Sequence, residues 1–232
     1  MKNAIITGSS KGLGRAIALS LAKEGYVPWL TARNEVDLQN LTAEILTETG
    51  VKSFYHVVDF SDQKQVEAYV NVLKSSEEGF EVLVNNAGVY IPDELTDEQP
   101  ALDLQMQVNF HAAYCITQAL LPQFIANEKG HIFNVCSIVN RKPRVEAASY
   151  TISKFALYGY HQLLHERLKK HKVKVTAFFP GSINTSSWDG IEAPKEDFVQ
   201  PEDIASMLVG MLKMKLGTVP SEIDLNSINP AF

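Results

Sequence analysis

The chain has 232 residues and a net charge of −6, with 45% hydrophobic and 21% charged residues, ordinary globular usage that excludes a disordered chain. Its longest unbroken apolar run, Ala112 to Ile116, is far shorter than the roughly 20 residues a membrane-spanning helix needs. The acidic balance disfavours non-specific binding to nucleic acid or anionic membranes, and two cysteines, Cys115 and Cys136, are too few for a disulfide framework and point to a reducing cytoplasm.

Met1-Lys2-Asn3 runs directly into a strand, so no signal peptide is expected. The predicted order is strand Asn3–Thr7, helix Gly12–Glu24, strand Val27–Thr31, helix Glu35–Thr49, strand Ser53–Val58 and helix Asp62–Ser76. Then come strand Val82–Val84, helix Leu104–Asn127, strand His131–Cys136, helix Tyr150–His171, strand Val173–Phe179, helix Pro201–Lys213 and strand Glu222–Asn226. Ser61 reads as an N-cap, Pro201 as a first helical residue, and Gly25 and Gly50 as helix stops. Pro28 fits a strand only near its start, where no ladder donor is missed. Several strands are apolar nearly throughout, as in a parallel sheet covered on both faces. No repeat or linker divides the chain, so residues 1–232 are expected to form one α/β domain, a doubly wound parallel sheet of seven strands with helices on both faces.

Thr7-Gly8-Ser9-Ser10-Lys11-Gly12-Leu13-Gly14 joins the first strand to a helix rich in Ala and Leu. Glycines there turn the chain, admit a pyrophosphate close to backbone N–H groups, and let helix and strand pack tightly. The helix N-terminus adds positive potential. A glycine turn without a ligand is the plain alternative, but the place between strand and helix favours a dinucleotide. The spacing Gly-x-x-x-Gly-x-Gly resembles the motif of the short-chain dehydrogenase/reductase family, whose fold is Rossmann-type. Ala32-Arg33-Asn34 follows the second strand where an acid would bind an adenosine 2′-hydroxyl. Arg33, with Lys11, can instead pair with a 2′-phosphate, so NADP(H) is expected over NAD(H). By resemblance Asp59 and Phe60 border the adenine, although Asp59 alone reads equally as a turn residue. Asn85-Asn86-Ala87-Gly88 matches the family's Asn-Asn-Ala-Gly segment, small enough to pass close to the nucleotide, with Asn amides able to pin adjoining strands.

Tyr150 and Lys154 fall one turn apart on a helix. A phenol ionises near pH ~10, and an ammonium beside it favours the phenolate. A packed tyrosine with a snorkelling amine has the same spacing. With Ser137 thirteen positions upstream, however, the order resembles the family's Ser…Tyr-x-x-x-Lys pattern, and Asn109 extends it to a tetrad. The resemblance implies that Tyr150 is the proton donor to a carbonyl, Ser137 holds its oxygen, Lys154 bonds the nicotinamide ribose, and Asn109 supports a water toward Lys154. Pro180, Gly181, Ile183 and Thr185 match the family's Pro-Gly…Thr segment, which meets the nicotinamide and a phosphate.

The segment 182–199 reads as a substrate lid. Arg141, Lys142 and Arg144 can attract an anionic substrate, or form a solvated face. His161 and His165 have zinc-like spacing but no third ligand, and read as a surface pair, so no metal is expected. Cys136 reads as a buried small residue. Apolar residues left over on the Leu104–Asn127 and Tyr150–His171 helices, by resemblance, form a homodimer or homotetramer interface. The tail resembles the NADPH-using branch of 3-hydroxy-acid dehydrogenases and sepiapterin-reductase-like enzymes more than 3-oxoacyl-carrier-protein reductases. The implied reaction is the interconversion of a carbonyl and a secondary alcohol by hydride transfer, on a small ketone, 3-hydroxy acid or 3-oxoacyl compound. A non-catalytic NADP-sensing module is the alternative, since fold alone does not give function.

Overall fold

Residues 2–190 and 192–228 are described by the computed structural model of the chain. Strand β1 (Lys2–Thr7) is apolar toward both faces: Ala4 and Ile6 enter one core and Ile5 the other. A strand patterned this way must be covered twice, which the centre of an α/β sheet provides. Strands β2 (Tyr26–Ala32), β3 (Phe54–Val57), β4 (Phe80–Asn85), β5 (His131–Val135), β6 (Lys174–Pro180) and β7 (Glu222–Leu225) complete a seven-stranded sheet. The order is β3-β2-β1-β4-β5-β6-β7 and every pairing is parallel. Helices α1 (Gly12–Lys23), α2 (Glu35–Thr49) and α7 (Pro201–Leu212) bring Ile17, Leu41 and Leu208 to one face. Helices α3 (Gln63–Ser75), α5 (Ala112–Asn127) and α6 (Ala148–Leu168) bring Val66, Ile116 and Leu164 to the other. This is the expected doubly wound, Rossmann-type sheet. The chain leaves β1 toward β2 on one side and β4 toward β5 on the other, so a crevice opens at their carboxyl ends.

Local chemistry explains where the elements depart from expectation. Thr31 O accepts from Ser9 on the β1 side and Ala32 O from Val58 on the β3 side. Strand alternation then turns the Pro28 nitrogen toward β3, whose ladder begins one residue later at Trp29 with Phe54. The N-cap of α3 is Asp62, not Ser61: its carboxylate accepts the N–H groups of Lys64 and Gln65. Strand β4 starts two residues earlier than predicted and ends one later, at Asn85. The long helix expected from Leu104 is interrupted. A short helix α4 (Leu102–Met106) passes into a π-turn, Gln107–His111, before α5, and that wider turn carries the buried Asn109. His161 is buried rather than a surface group. Its ring stacks with Tyr158 and His165, and Nδ1 meets Asn134 at 3.4 Å. Helix spacing gave no warning of this, because α6 is packed on more than one side. No helix among the described residues is long and apolar enough to cross a membrane.

Candidate active site

The crevice is pinned by polar side chains on its two founding strands. Thr7 Oγ1 accepts the N–H groups of Asn86 (2.9 Å) and Ala87 (3.0 Å) and donates to Val84 O (3.2 Å). Asn86 Nδ2 donates to Thr7 O (2.8 Å) and Gly8 O (3.0 Å). Behind them Asn85 Nδ2 reaches Asn134 Oδ1 (2.8 Å) and Thr117 Oγ1 (3.0 Å). The second asparagine thus staples the glycine loop to β4, and the first staples β4 to β5.

The loop is closed to side chains. A Cβ on Gly14 would lie 2.2 Å from Gly8 O, and one on Gly12, whose φ is +52°, would lie 2.9 Å from Thr185 Cγ2. Lys11 begins α1 without a side-chain cap, which leaves the first-turn N–H groups of that helix to whatever enters the crevice. Two cavities adjoin there, of about 360 and 540 Å³, with Gly8, Lys11, Ala87, Gly88 and Val89 lining both. The smaller is lined by Gly12, Leu13, Asn86, Ser137, Tyr150, Lys154, Pro180, Gly181, Ile183 and Thr185. The larger adds Ser10, Arg33, Asn34, Asp59 and Phe60. A double chamber with a glycine floor and a helix N-terminus at its waist fits an extended dinucleotide. Lys11, Arg33, Asn34, Asp59 and Phe60 could hold its adenosine end in the larger cavity, and Lys154, Ile183 and Thr185 its nicotinamide end in the smaller.

Of the site residues expected from sequence, only Gly14 and Asn109 line neither chamber. Gly14 packs beneath the loop. The Asn109 side chain takes Val89 N–H on Oδ1 (2.7 Å) and donates from Nδ2 to Val89 O (3.0 Å) and Ser153 Oγ (2.9 Å). It therefore clamps the chain after Gly88 onto α6. Asn34 Oδ1 also N-caps α2 through Asp37 N–H (3.1 Å), and Asp59 closes a turn with Ser61. Hydrogen bonds from Ser61 hold the Asp59 carboxyl below the usual carboxylate range.

In the smaller cavity, Lys154 is only 3% exposed. Its Nζ donates to Val135 O (2.8 Å) and stands 5.6 Å from the centre of the Tyr150 ring. Ser137 ends β5 by capping a 3-10 turn: Oγ accepts Val139 N–H (3.3 Å), and its own N–H goes to Asn140 Oδ1 (3.1 Å). Cys136 beside it is buried, and burial pushes its thiol up to about 12, which removes it as a nucleophile.

Arg141 does not wait for an anionic substrate. It is spent on Asp224 (2.8 Å) and Glu222 (2.5 Å) of β7 and lies 3.8 Å over the Phe179 ring. Neither Lys142 nor Arg144 lines the cavities. Two residues that no sequence pattern singled out do matter. Tyr90, 55% exposed, sets its ring edge-to-face with Tyr150 at 5.2 Å between centres and lines the smaller cavity. Asp93 accepts Ser149 N–H (2.9 Å) and Ala101 N–H (2.9 Å), one on each oxygen. Its backbone meets Ala147 and Ala148 as well. A carboxylate from the loop after β4 thus caps α6, which begins at Ala148 and carries Tyr150 in its first turn. Segment 182–199 is tied at its base by the Ile183–Val199 bridge, carries Trp188 against Phe198 (4.8 Å), and presents Ser186 and Ser187 to the cavity.

The sequence profile described as short chain dehydrogenase matches residues 2–196, and the chain belongs to that family. It is 29% identical over 228 residues to an uncharacterised oxidoreductase of Staphylococcus aureus strain MW2, covering 98% of this chain and 95% of that protein. Among solved structures, a metagenomic short-chain oxidoreductase in complex with NADP is 30% identical with a TM-score of 0.84, over 98% of this chain and 97% of the other. An alcohol dehydrogenase from Thermococcus sibiricus complexed with 5-hydroxy-NADP is 26% identical with a TM-score of 0.89 over the full length of both. L-sorbose reductase from Gluconobacter frateurii, complexed with NADPH and L-sorbose, is 27% identical with a TM-score of 0.87, over 97% and 95%. The chain is an oxidoreductase of the class that acts on CH–OH groups.

Proposed function

We propose that the chain uses NADP(H) to reduce a small, uncharged ketone to a secondary alcohol, or to run the reverse, with Tyr150, Ser137 and Lys154 in contact with the reactants. The observation that carries this reading is that these three side chains line the same cavity as the glycine loop. When bound, the nicotinamide supplies or takes the hydride. Tyr150 gives its hydroxyl proton to the carbonyl oxygen in reduction and recovers it in oxidation. Ser137 Oγ already accepts from Val139, so its own hydrogen is left for the same substrate oxygen. Lys154 uses one of three donors on Val135 O, leaving two for the ribose hydroxyls and for the phenolate oxygen. Asn109 is a positioning residue: it fixes Val89 and Ser153 around this group and spends its amide doing so.

Lys11 and Lys154 are the charged side chains among the described residues of the smaller cavity. Both lie toward the cofactor, so the substrate end favours a neutral compound over the 3-hydroxy acids. Arg33 and Lys11 favour NADPH over NADH. Segment 182–199, with its tied base, acts as the lid of a single domain spanning 1–232. Tyr114, Ile152 and Phe155 remain exposed on α5 and α6, at 41%, 43% and 42%, which supports a homodimer or homotetramer in the cytoplasm. Following NADPH absorbance over a panel of small ketones tests the reaction. Tyr150→Phe should lower turnover by at least about a hundredfold while leaving NADPH affinity within about twofold. An active Phe variant would refute the assigned role.

A further inference from the structure

The cations of the larger chamber are not equivalent. Lys11 Nζ lies 3.3 Å from Asp37 Oδ2, with the lysine side chain 63% exposed and the aspartate 25%. The Asp37 main chain is fixed in the first turn of α2, where its N–H is bound by the Asn34 side chain. Both Lys11 and Asp37 line the adenosine chamber, alongside Arg33. Among the described residues Arg33 has no ion-pair partner within reach; its charge is felt by Asp59. The chamber thus holds one guanidinium outside any ion pair and one ammonium already paired with a carboxylate.

We infer that Asp37 sets the nucleotide discrimination of this chain by competing with a 2′-phosphate for Lys11. The inference rests on the NADP(H) reading above and deepens it. A 2′-phosphate carries between one and two negative charges. To pair with Lys11 it must displace Asp37, and it then lies beside a carboxylate that repels it. A 2′-hydroxyl carries no charge, meets no repulsion, and leaves the Lys11–Asp37 pair closed. Arg33 alone remains free to grip the phosphate in two-pronged fashion. Preference for NADPH is therefore narrower than two cations would give, and Asp37 is the residue that narrows it.

The test is equilibrium binding of NADPH and NADH to the purified full chain, by quenching of intrinsic fluorescence, for the unmutated protein, Asp37→Asn, Asp37→Ser and Asp37→Asn combined with Lys11→Met. Loss of one exposed repulsion and release of one ammonium should tighten NADPH about three- to tenfold in both single variants. NADH should stay within about twofold, and the gain should shrink as salt is raised. Adding Lys11→Met to Asp37→Asn should remove most of the gain. Unchanged NADPH binding in both single variants overturns the inference, and so does a tenfold loss of NADH, which would make Asp37 a ribose ligand instead. The unmutated protein is measured first. If it binds no NADPH, the cofactor reading itself fails and this inference falls with it, an outcome distinct from NADPH binding that Asp37 does not affect.

Discussion

Asp93 is where fold and chemistry can be weighed together. Its buried carboxylate takes one main-chain N–H from α6 and one from the start of α4. Hydrogen bonds to a charged acceptor contribute about 1.5–3 kcal/mol each, and an anion at a helix N-terminus adds about 0.3–1 kcal/mol. Asp93→Ala also leaves two amides without partners, so the expected loss is about 3–5 kcal/mol. For a chain of this length that corresponds to a melting midpoint lower by roughly 6–20 °C. Asp93→Asn, which can still accept one of the two bonds, should recover about half. Burial pushes the Asp93 carboxyl up, but hydrogen bonds from Ser149 and Ala101 outweigh it and hold it below the usual carboxylate range. A carboxyl whose folded pKa is depressed stabilises fully above its unfolded value, about 3.9, and that contribution disappears as pH falls through the folded pKa. The deficit of the Ala variant should accordingly be full at neutral pH and shrink below about pH 4. Guanidinium unfolding of both variants across that range measures it. A neutral-pH deficit under about 1 kcal/mol, or one that grows on acidification, would refute the reasoning. Because Ser149 directly precedes Tyr150, turnover of the folded Ala variant should fall several-fold while NADPH affinity holds.

His161 should make acid stability depend on α6. Burial, with the neighbouring His165 charge, lowers its pKa to about 4, so the unfolded chain binds the extra proton between about pH 6.5 and 4 and folding weakens by about 2–3 kcal/mol on acidification through that window. His131, also buried and with its pKa lowered to about 3, adds to the same slope, so His161→Gln should reduce it by about half in urea unfolding curves, and an unchanged slope would refute the assignment. Phe155→Glu, on the exposed face of α6, should reduce the particle mass measured by light scattering to the 25.8 kDa of one chain. A single-chain mass for the unmutated protein would refute the oligomer reading.

The parallel strands were legible because a doubly covered strand must be apolar in both phases, as Ala4, Ile5 and Ile6 are. The glycine loop was legible because Gly12 and Gly14 answer steric demands that no other residue meets. Ser137, Tyr150 and Lys154 stood out by their resemblance to the family's Ser…Tyr-x-x-x-Lys order, and the fold brings them to one cavity. What stayed hidden has no local period. Asp93 and Tyr90 lie on the loop after β4, and Asp37 appears as an ordinary first-turn acid until the fold brings Lys11 to it. Arg141 looked available for substrate because its partners, Glu222 and Asp224, lie more than eighty positions away. The π-turn at Asn109 was equally invisible, since an apolar helix pattern continues through it on both sides.

Arg141 and Asp37 belong to one electrostatic arrangement. A chain of net charge −6 presents an unfavourable average field to an anionic nucleotide, so local charge has to overcome it. Several cations away from the crevice are cancelled close by: Lys213 by Glu24, Lys129 by Glu81, Lys172 by Glu128, and Arg141 by Glu222 and Asp224. Of the described cations that line the two cavities, Lys11 is paired with Asp37, whereas Arg33 and Lys154 have no ion pair. A change of one charge at Arg33 or Asp37 should alter NADPH affinity several-fold and barely affect KM for a neutral ketone, whereas the same change at Lys142 should affect neither.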